Sequence, residues 1–293
     1  MIKLSYRVVV IDNLSTGKKE NINKKAKFYK IDICSSKIGE IFKKEKPQIC
    51  FHLAAQINVR KSVEDPLFDA KVNILGSLNI IQNFIRYRTF NIEHSKFIFI
   101  SSIAVYGEPK KLPIDENHPL NPISSYGIAK LTIENYLKLY SARGLNFVIL
   151  RFSNVYGPRQ RSNGEGGVIS IFIDRILKGK KPIIFGDGNQ TRDFLYVSDA
   201  IKALILSMKA SPGSVYNVGT NEEMKIKEVL NKISTLLGKR VEPIFKPRSK
   251  GEILKSRVDY SKIKKELNWR PKYNLEKGIK ETIKFLSNFP CKS

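Results

Sequence analysis

Ile100-Ser101-Ser102-Ile103-Ala104-Val105-Tyr106-Gly107 closes an apolar run that reads as a buried strand, and 24 residues after its Ser102 comes Tyr126-Gly127-Ile128-Ala129-Lys130. A tyrosine and a lysine four residues apart on a helix project from one face, about a turn from each other. The ammonium favours the phenolate and is expected to draw the pKa of Tyr126 from about 10 toward neutrality. Such a tyrosine takes a proton from a bound hydroxyl and returns it. Ser102, delivered from a strand end, can hydrogen-bond the same oxygen. The Y-x-x-x-K spacing alone describes many exposed helix pairs; the flanking Ser-Ser-Ile-Ala-Val-Tyr-Gly and Ser-Ser-Tyr-Gly-Ile-Ala-Lys give it weight.

Outward from these stretches, short β-rich apolar runs alternate with amphipathic segments of helical length, the pattern of a parallel sheet with crossover helices. Strands are expected over 7–12, 27–31, 48–54, 96–101, 146–152 and 214–218, and helices over 35–45, 64–88, 125–143, 165–179, 197–210, 225–237 and 275–287. Pro47 and Gly144 punctuate them. The fold class is α/β, a Rossmann-like doubly wound parallel sheet. Past Asn154 the alternation lapses, and Pro158, Gly164, Gly166 and Gly167 mark an irregular stretch.

At 293 residues and 42% hydrophobic, the chain can bury a full core as one or two domains. The apolar run from Val8 to Ile11 meets Asp12 too soon for a signal peptide, and no stretch approaches the ~20 apolar residues of a membrane span. Cys34, Cys50 and Cys291, odd in number and without C-x-x-C spacing, favour a reducing cytoplasm. His52, His94 and His118 are scattered, so no metal site is expected, and His52 reads as a hydrogen-bonded structural histidine. The net charge of +25 is spread from Lys18-Lys19 and Lys24-Lys25 to Lys262, Lys264 and Lys265. Without a compact basic cluster among exposed aromatics, it reads as a solvated surface with some power to steer anionic substrates, and no specific nucleic-acid partner is expected.

Asp12 ends an apolar strand, as does the acid that holds the adenosine ribose in a dinucleotide-binding unit, about 20 residues past a Gly-rich turn. Counting back places that turn before residue 1; Gly17 is the first glycine, and Met1 to Tyr6 read as the tail of the helix that would follow the turn. In the strand order 3-2-1-4-5-6 the strand ahead of that turn is central. Without it the second and fourth strands each lose a neighbour, at about 1–3 kcal/mol for each backbone group left buried and unpaired. The expectation is an incomplete sequence of a working enzyme, with a degenerate non-binding relative or a rearranged working protein as alternatives. A chain beginning at Met1 is expected to bind a dinucleotide weakly, because the turn and helix N-terminus hold the pyrophosphate.

Further segments join the first two: Val10-Ile11-Asp12-Asn13-Leu14-Ser15-Thr16-Gly17, Phe51-His52-Leu53-Ala54-Ala55-Gln56, Val72-Asn73-Ile74-Leu75-Gly76, Arg151-Phe152-Ser153-Asn154-Val155-Tyr156-Gly157-Pro158, Gly186-Asp187-Gly188-Asn189-Gln190-Thr191-Arg192-Asp193-Phe194, Tyr216-Asn217-Val218-Gly219 and Lys250-Gly251-Glu252. In this order they resemble, almost end to end, the extended short-chain dehydrogenase/reductases, specifically the nucleotide-sugar epimerases and dehydratases and above all their UDP-glucose 4-epimerase branch. The resemblance implies an N-terminally incomplete NAD-binding domain over 1–155 plus roughly 183–220. It also implies a smaller C-terminal sugar-nucleotide domain built from 156–182 and 221–293.

The resemblance also implies that NAD stays bound while Tyr126 takes the proton of the sugar 4-hydroxyl, Ser102 bridges the 4-oxygen, and Lys130 lowers the Tyr126 pKa and holds the nicotinamide ribose. Asp12, Asn13, Leu14 and Ser15 would surround the adenine ribose, with Asp32 and Ile33 against the adenine. Leu53, Ala54, Ala55 and Gln56 would line the pyrophosphate and nicotinamide ribose, and Asn73 completes the cofactor set. Asp12 favours NAD over NADP, since a carboxylate repels a 2′-phosphate. Asn154, Arg192 and Glu252 would hold the sugar nucleotide, Arg192 by forking onto a phosphate. The family's second phosphate-binding arginine falls at Ser249, with Arg248 one residue early; in an extended segment that shift turns a side chain to the opposite face. Either the loop adjusts, Lys250 substitutes, or the diphosphate is held less firmly. Ser256, four residues after Glu252, would gate substrate size and leave room for an acetamido group.

Family members that eliminate water carry an Asp-Glu pair after the catalytic Ser/Thr, and the decarboxylases and GDP-mannose dehydratases a Glu in this segment. Ile103 and Ala104 cannot move a proton. The implied function is therefore NAD-dependent 4-epimerisation of a UDP-sugar of the glucose/galactose type. It would be carried out by a homodimer joined through a four-helix bundle of 64–88 and 125–143. A uronate or N-acetylhexosamine epimerase and a non-catalytic sugar-nucleotide-binding relative are the alternatives.

Overall fold

Parallel strands buried on both faces form the middle of the protein, a computed structural model that describes residues 1–88, 95–162, 167–248 and 251–288. His94, Gly164, Gly166, Ser249, Lys250 and Cys291 lie outside the described residues. Strands β1 (Val9–Asp12), β2 (Lys27–Lys30), β3 (Ile49–His52), β4 (Lys96–Ser102), β5 (Phe147–Phe152) and β10 (Ser214–Val218) begin and end within two residues of the expected limits. Four of them make one parallel sheet in the order β10-β5-β4-β3. Every residue of β5 is buried, as a near-continuous apolar run in a doubly covered sheet should be. Phe97, Phe99, Phe147 and Ile149 face one layer of helices; Ile98, Val148 and Leu150 face the other, where Trp269 is fully buried.

Strands β1 and β2 form a separate parallel ribbon, Val9 opposite Lys27 and Asp12 opposite Lys30. Among the described residues β1 pairs only with β2, and β3 only with β4. Helix α1 (Ile38–Glu45) anchors the ribbon: the buried Glu45 carboxylate accepts from Lys27 Nζ and Tyr29 Oη, both at 2.5 Å. Residues Ile2–Leu4 make a single 3-10 turn.

The helix expected over 64–88 is subdivided. Ahead of it lies α2 (Val59–Glu64), a helix that the sequence reading did not expect; it stops at Asp65, whose side chain caps Phe68 N as α3 (Pro66–Ala70) begins with Pro66 in its first turn. The chain continues through a π-helical stretch (Lys71–Gly76) into α4 (Ser77–Tyr87). Helix α5 (Ser125–Ser141) follows β4. Beyond β5 lie short elements that the sequence did not signal. Strand β6 (Asn154–Tyr156) pairs with β9 (Phe194–Tyr196), β7 (Ile183–Phe185) with β12 (Ile244–Lys246), and β8 (Thr191–Arg192) with β11 (Met224–Lys225). Helices α6 (Val168–Leu177), α8 (Ile226–Leu236) and α10 (Leu275–Asn288) enclose a further core around Tyr156, Phe172, Ile233 and Ile279. Helices α7 (Val197–Ser207) and α9 (Ser261–Leu267) cover the central sheet.

Candidate active site

Ser102 ends β4, and its Oγ accepts from Ala104 N at 3.2 Å, starting the 3-10 turn Ile103–Tyr106. Ser124 caps α5 by accepting from Gly127 N. Gly127 lies directly on the Ser102 turn: a Cβ there would stand 2.6 Å from the Ala104 carbonyl oxygen and 2.9 Å from Pro122 Cβ. That close approach seats the first turn of α5 against the strand end, where the Ser102 hydroxyl favours the ionised form of the Tyr126 phenol. Tyr126 N in turn donates to Ser62 Oγ of α2 at 3.1 Å.

Lys130 is buried, and its Nζ donates to the Ile100 carbonyl at 2.8 Å, 4.9 Å from the Phe99 ring and 5.8 Å from that of Tyr126. Burial pushes the ammonium down to about 8, against the opposing carboxylates of Asp69 and Glu134. Tyr126 departs from expectation. Burial, with a smaller contribution from Asp69, pushes the phenol up to about 12 rather than toward neutrality. The lysine turns its charge to a carbonyl, and desolvation of the phenolate sets the direction of the shift.

Asp69 was not singled out from the sequence. It is buried on α3, where Oδ1 accepts from Gln56 Nε2 at 2.7 Å and Asn73 Nδ2 at 2.9 Å. Its Oδ2 is buried with no partner among the described residues, and burial holds the carboxyl above its ordinary range. Behind the catalytic pair, Glu134 on α5 receives a two-armed contact from Arg151 (3.0 and 2.6 Å) and the Ser101 hydroxyl at 2.6 Å. Arg151 also donates to Tyr106 Oη, which donates to Asn217 Oδ1. This buried network fastens α5 to three strands.

On the cofactor side, Asp12 Oδ1 accepts from Leu14 N at 2.6 Å while Leu14 takes a left-handed φ of 58°. Asn13 Nδ2 donates to Asp32 Oδ2, and Asn13 Oδ1 accepts from Ser15 N. The turn leaves Asp12 Oδ2 facing Gly17, where a Cβ would come within 3.3 Å. A carboxylate acceptor at the carboxyl end of a parallel strand, with a side-chain-free residue opposite, fits the adenosine ribose of NAD. Ile33 packs beneath Gly76. Past β3, Leu53 is exposed and Ala54 and Ala55 are half-buried, while Gln56 and Asn73 exchange two hydrogen bonds at 2.9 Å, like partners in a sheet. Asn73 occupies the π-helical stretch, a geometry frequent at functional sites. His52 is structural: its Nε2 lies 2.8 Å from Ser77 Oγ, and burial pushes it down to about 3.

On the opposite side, Asn154 N and Nδ2 both donate to the Asp193 carbonyl. Asp193 turns its carboxylate to Thr220, Asn221 and Val258, away from an ion pair with Arg192. The Arg192 guanidinium is lowered by burial and by nearby Arg248, and raised by Glu252 and Glu108. Arg248, one residue early, donates to the Glu252 carbonyl. Ser256 is fully buried. Arg60, absent from the sequence-based set, contacts Glu252 Oε1 through Nε and Nη2.

The family model described as GDP-mannose 4,6 dehydratase matches residues 2–282, and the chain belongs to this family of nucleotide-sugar epimerases and dehydratases, with a Rossmann-like α/β fold. The chain is 42% identical to the UDP-glucose 4-epimerase of Thermotoga maritima, whose structure holds UDP-glucose; the match covers 98% of this chain and 93% of that one with a TM-score of 0.93. The Thermus thermophilus UDP-glucose 4-epimerase in complex with NAD is 35% identical over the same shares, with a TM-score of 0.91. A UDP-N-acetylglucosamine 4-epimerase from Methanobrevibacter ruminantium, bound to UDP-N-acetylmuramic acid, is 35% identical over 96% of this chain and 91% of that one, with a TM-score of 0.88.

Proposed function

We propose that this chain is an NAD-dependent UDP-sugar 4-epimerase that interconverts UDP-glucose and UDP-galactose. One observation carries the choice of reaction: Gly127 seats the Tyr126 turn of α5 directly on the Ser102 turn, while Ile103 and Ala104, the two residues after Ser102, are apolar. The site thus has one proton-transferring side chain for the 4-oxygen and none placed after Ser102 to eliminate water across C5 and C6. Bound NAD supplies the acceptor for the C4 hydride and gives it back. Tyr126 takes the 4-hydroxyl proton and returns it, Ser102 hydrogen-bonds the 4-oxygen, and Lys130 would hold the cofactor's nicotinamide ribose and favour the phenolate. Asp12, Asn13, Leu14, Ser15, Asp32 and Ile33 would hold the adenosine half of NAD, and Leu53, Ala54, Ala55, Gln56 and Asn73 the remainder.

Arg192 and Arg248 supply positive charge for the diphosphate, with Asn154 and Glu252 as further contacts, and Ser256 bounds the sugar end. The small side chain of Ser256, whose Oγ has no partner among the described residues, would be the contact for an N-acetylhexosamine. A homodimer fits the apolar residues left exposed on α5, Ile128 and Leu139, which fall on one stripe, together with Leu75 on the π-helical stretch. The free Cys34 and Cys50 accord with a cytoplasmic setting. No described helix is long and apolar enough to cross a membrane. Incubation with UDP-galactose tests the reaction: UDP-glucose as product supports it, and a 4-keto-6-deoxy sugar or carbon dioxide release from a UDP-uronate would refute it. Sedimentation tests the assembly.

A further inference from the structure

Helix α2 sends Arg60 across to the substrate side. Its Nε and Nη2 lie 3.2 and 3.0 Å from Glu252 Oε1, and its guanidinium carbon sits 3.6 Å from the centre of the Phe185 ring at the end of β7. The facing wall is fitted to the same helix: a Cβ on Gly251, whose φ is 78°, would stand 3.2 Å from Val63 Cγ2. Arg60 therefore grips one oxygen of the Glu252 carboxylate, while Oε2 has no partner among the described residues. The neighbouring Arg248 donates to the Glu252 carbonyl, so backbone and side chain of this residue are both held. A planar guanidinium that forks onto a carboxylate and stacks on a ring does what a lysine cannot.

We propose that Arg60 is a positioning residue for the nucleoside part of the substrate, one that fixes Glu252 so that its free carboxylate oxygen accepts from the ribose hydroxyls or base N–H of a nucleoside diphosphate sugar. This rests on the sugar-nucleotide function proposed above. Arg192 and Arg248 carry charge suited to phosphates, whereas an acceptor oxygen suits the donor groups on the nucleoside. The Arg60 side chain is 38% exposed, so the pair adds little to folding stability and its effect should appear in binding.

Arg60→Met keeps the length of the side chain and removes both fork and stack. The expected result is a rise of about tenfold in KM for UDP-glucose and in Kd for UDP by calorimetric titration, with kcat within about twofold. NAD affinity should be unchanged, a separation that a merely structural defect would not produce. Arg60→Lys, which keeps the charge alone, should stay within about threefold of the methionine variant. Unchanged KM and UDP affinity in Arg60→Met, a loss of kcat with KM intact, or a parallel loss of NAD affinity would each overturn the assignment. Should the unmodified protein bind NAD but not UDP, the sugar-nucleotide function fails first and the role of Arg60 falls with it.

Discussion

Replacing Ser256 by alanine separates two roles for one hydroxyl. Ser256 is fully buried, and its Oγ has no hydrogen-bond partner among the described residues. A buried unpaired hydroxyl costs about 1–3 kcal/mol. Removing it from the ligand-free protein should leave stability unchanged or raise it by up to ~1 kcal/mol, a shift in Tm of about 2–4 °C at most. On the function proposed above, the same hydroxyl bonds an acetamido group of the substrate. When UDP-N-acetylglucosamine is bound, Ser256→Ala should forfeit one net hydrogen bond of about 1 kcal/mol, roughly fivefold in kcat/KM, and leave UDP-glucose unaffected. Ser256→Tyr is the blunter change, since overfilling a packed position costs about 1–3 kcal/mol in folding as well as in binding. Calorimetric melting without ligand, together with kcat/KM on both substrates, checks the reasoning. A lower Tm for the alanine variant would mean that the hydroxyl is already satisfied, and an equal loss on both substrates would mean that it does not meet the acetamido group.

Tyr126→Phe should abolish turnover while leaving the Kd for the UDP-sugar within about twofold, because only the proton acceptor is lost; residual kcat above a hundredth would point to another base. Asp69→Asn removes a carboxylate that raises Tyr126, so the phenol should titrate below its value of about 12 and the limb of the pH–rate profile that needs the phenolate should move to lower pH. An unmoved limb would show that Asp69 does not sense the tyrosine. Glu134→Ala strands the buried Arg151 charge and should cost about 3–5 kcal/mol in urea unfolding; a cost under about 1 kcal/mol would mean that Arg151 finds another partner.

The strands of the central sheet were legible because both-face burial writes itself as unbroken apolar runs, such as Phe147–Phe152. The motifs around Ser102 and Tyr126 were legible as well, and the structure brings these two residues together. The paired strands β6 with β9, β7 with β12 and β8 with β11 were not, since two or three residues carry no period to read. The boundary at Asp65 had its signal, a capping side chain followed by proline, whereas α2 ahead of it went unread because six residues are too few to show a helical period. Arg60 lies 192 residues from Glu252, and nothing local marks their contact. The direction in which Tyr126 shifts was misjudged for the same kind of reason. The neighbour at i+4 is visible in sequence, whereas the depth of burial belongs to the tertiary structure.

Helix α2 bears on both ends of the cleft at once. Within one turn, Ser62 Oγ accepts from Tyr126 N at 3.1 Å and Arg60 Nη2 donates to Glu252 Oε1 at 3.0 Å. The helix acts as a gauge block, and the span from reacting oxygen to nucleoside is calibrated against six residues of backbone. One residue inserted in this helix would rotate Arg60 and Ser62 apart by about 100° and spoil the calibration, however little it disturbed the fold.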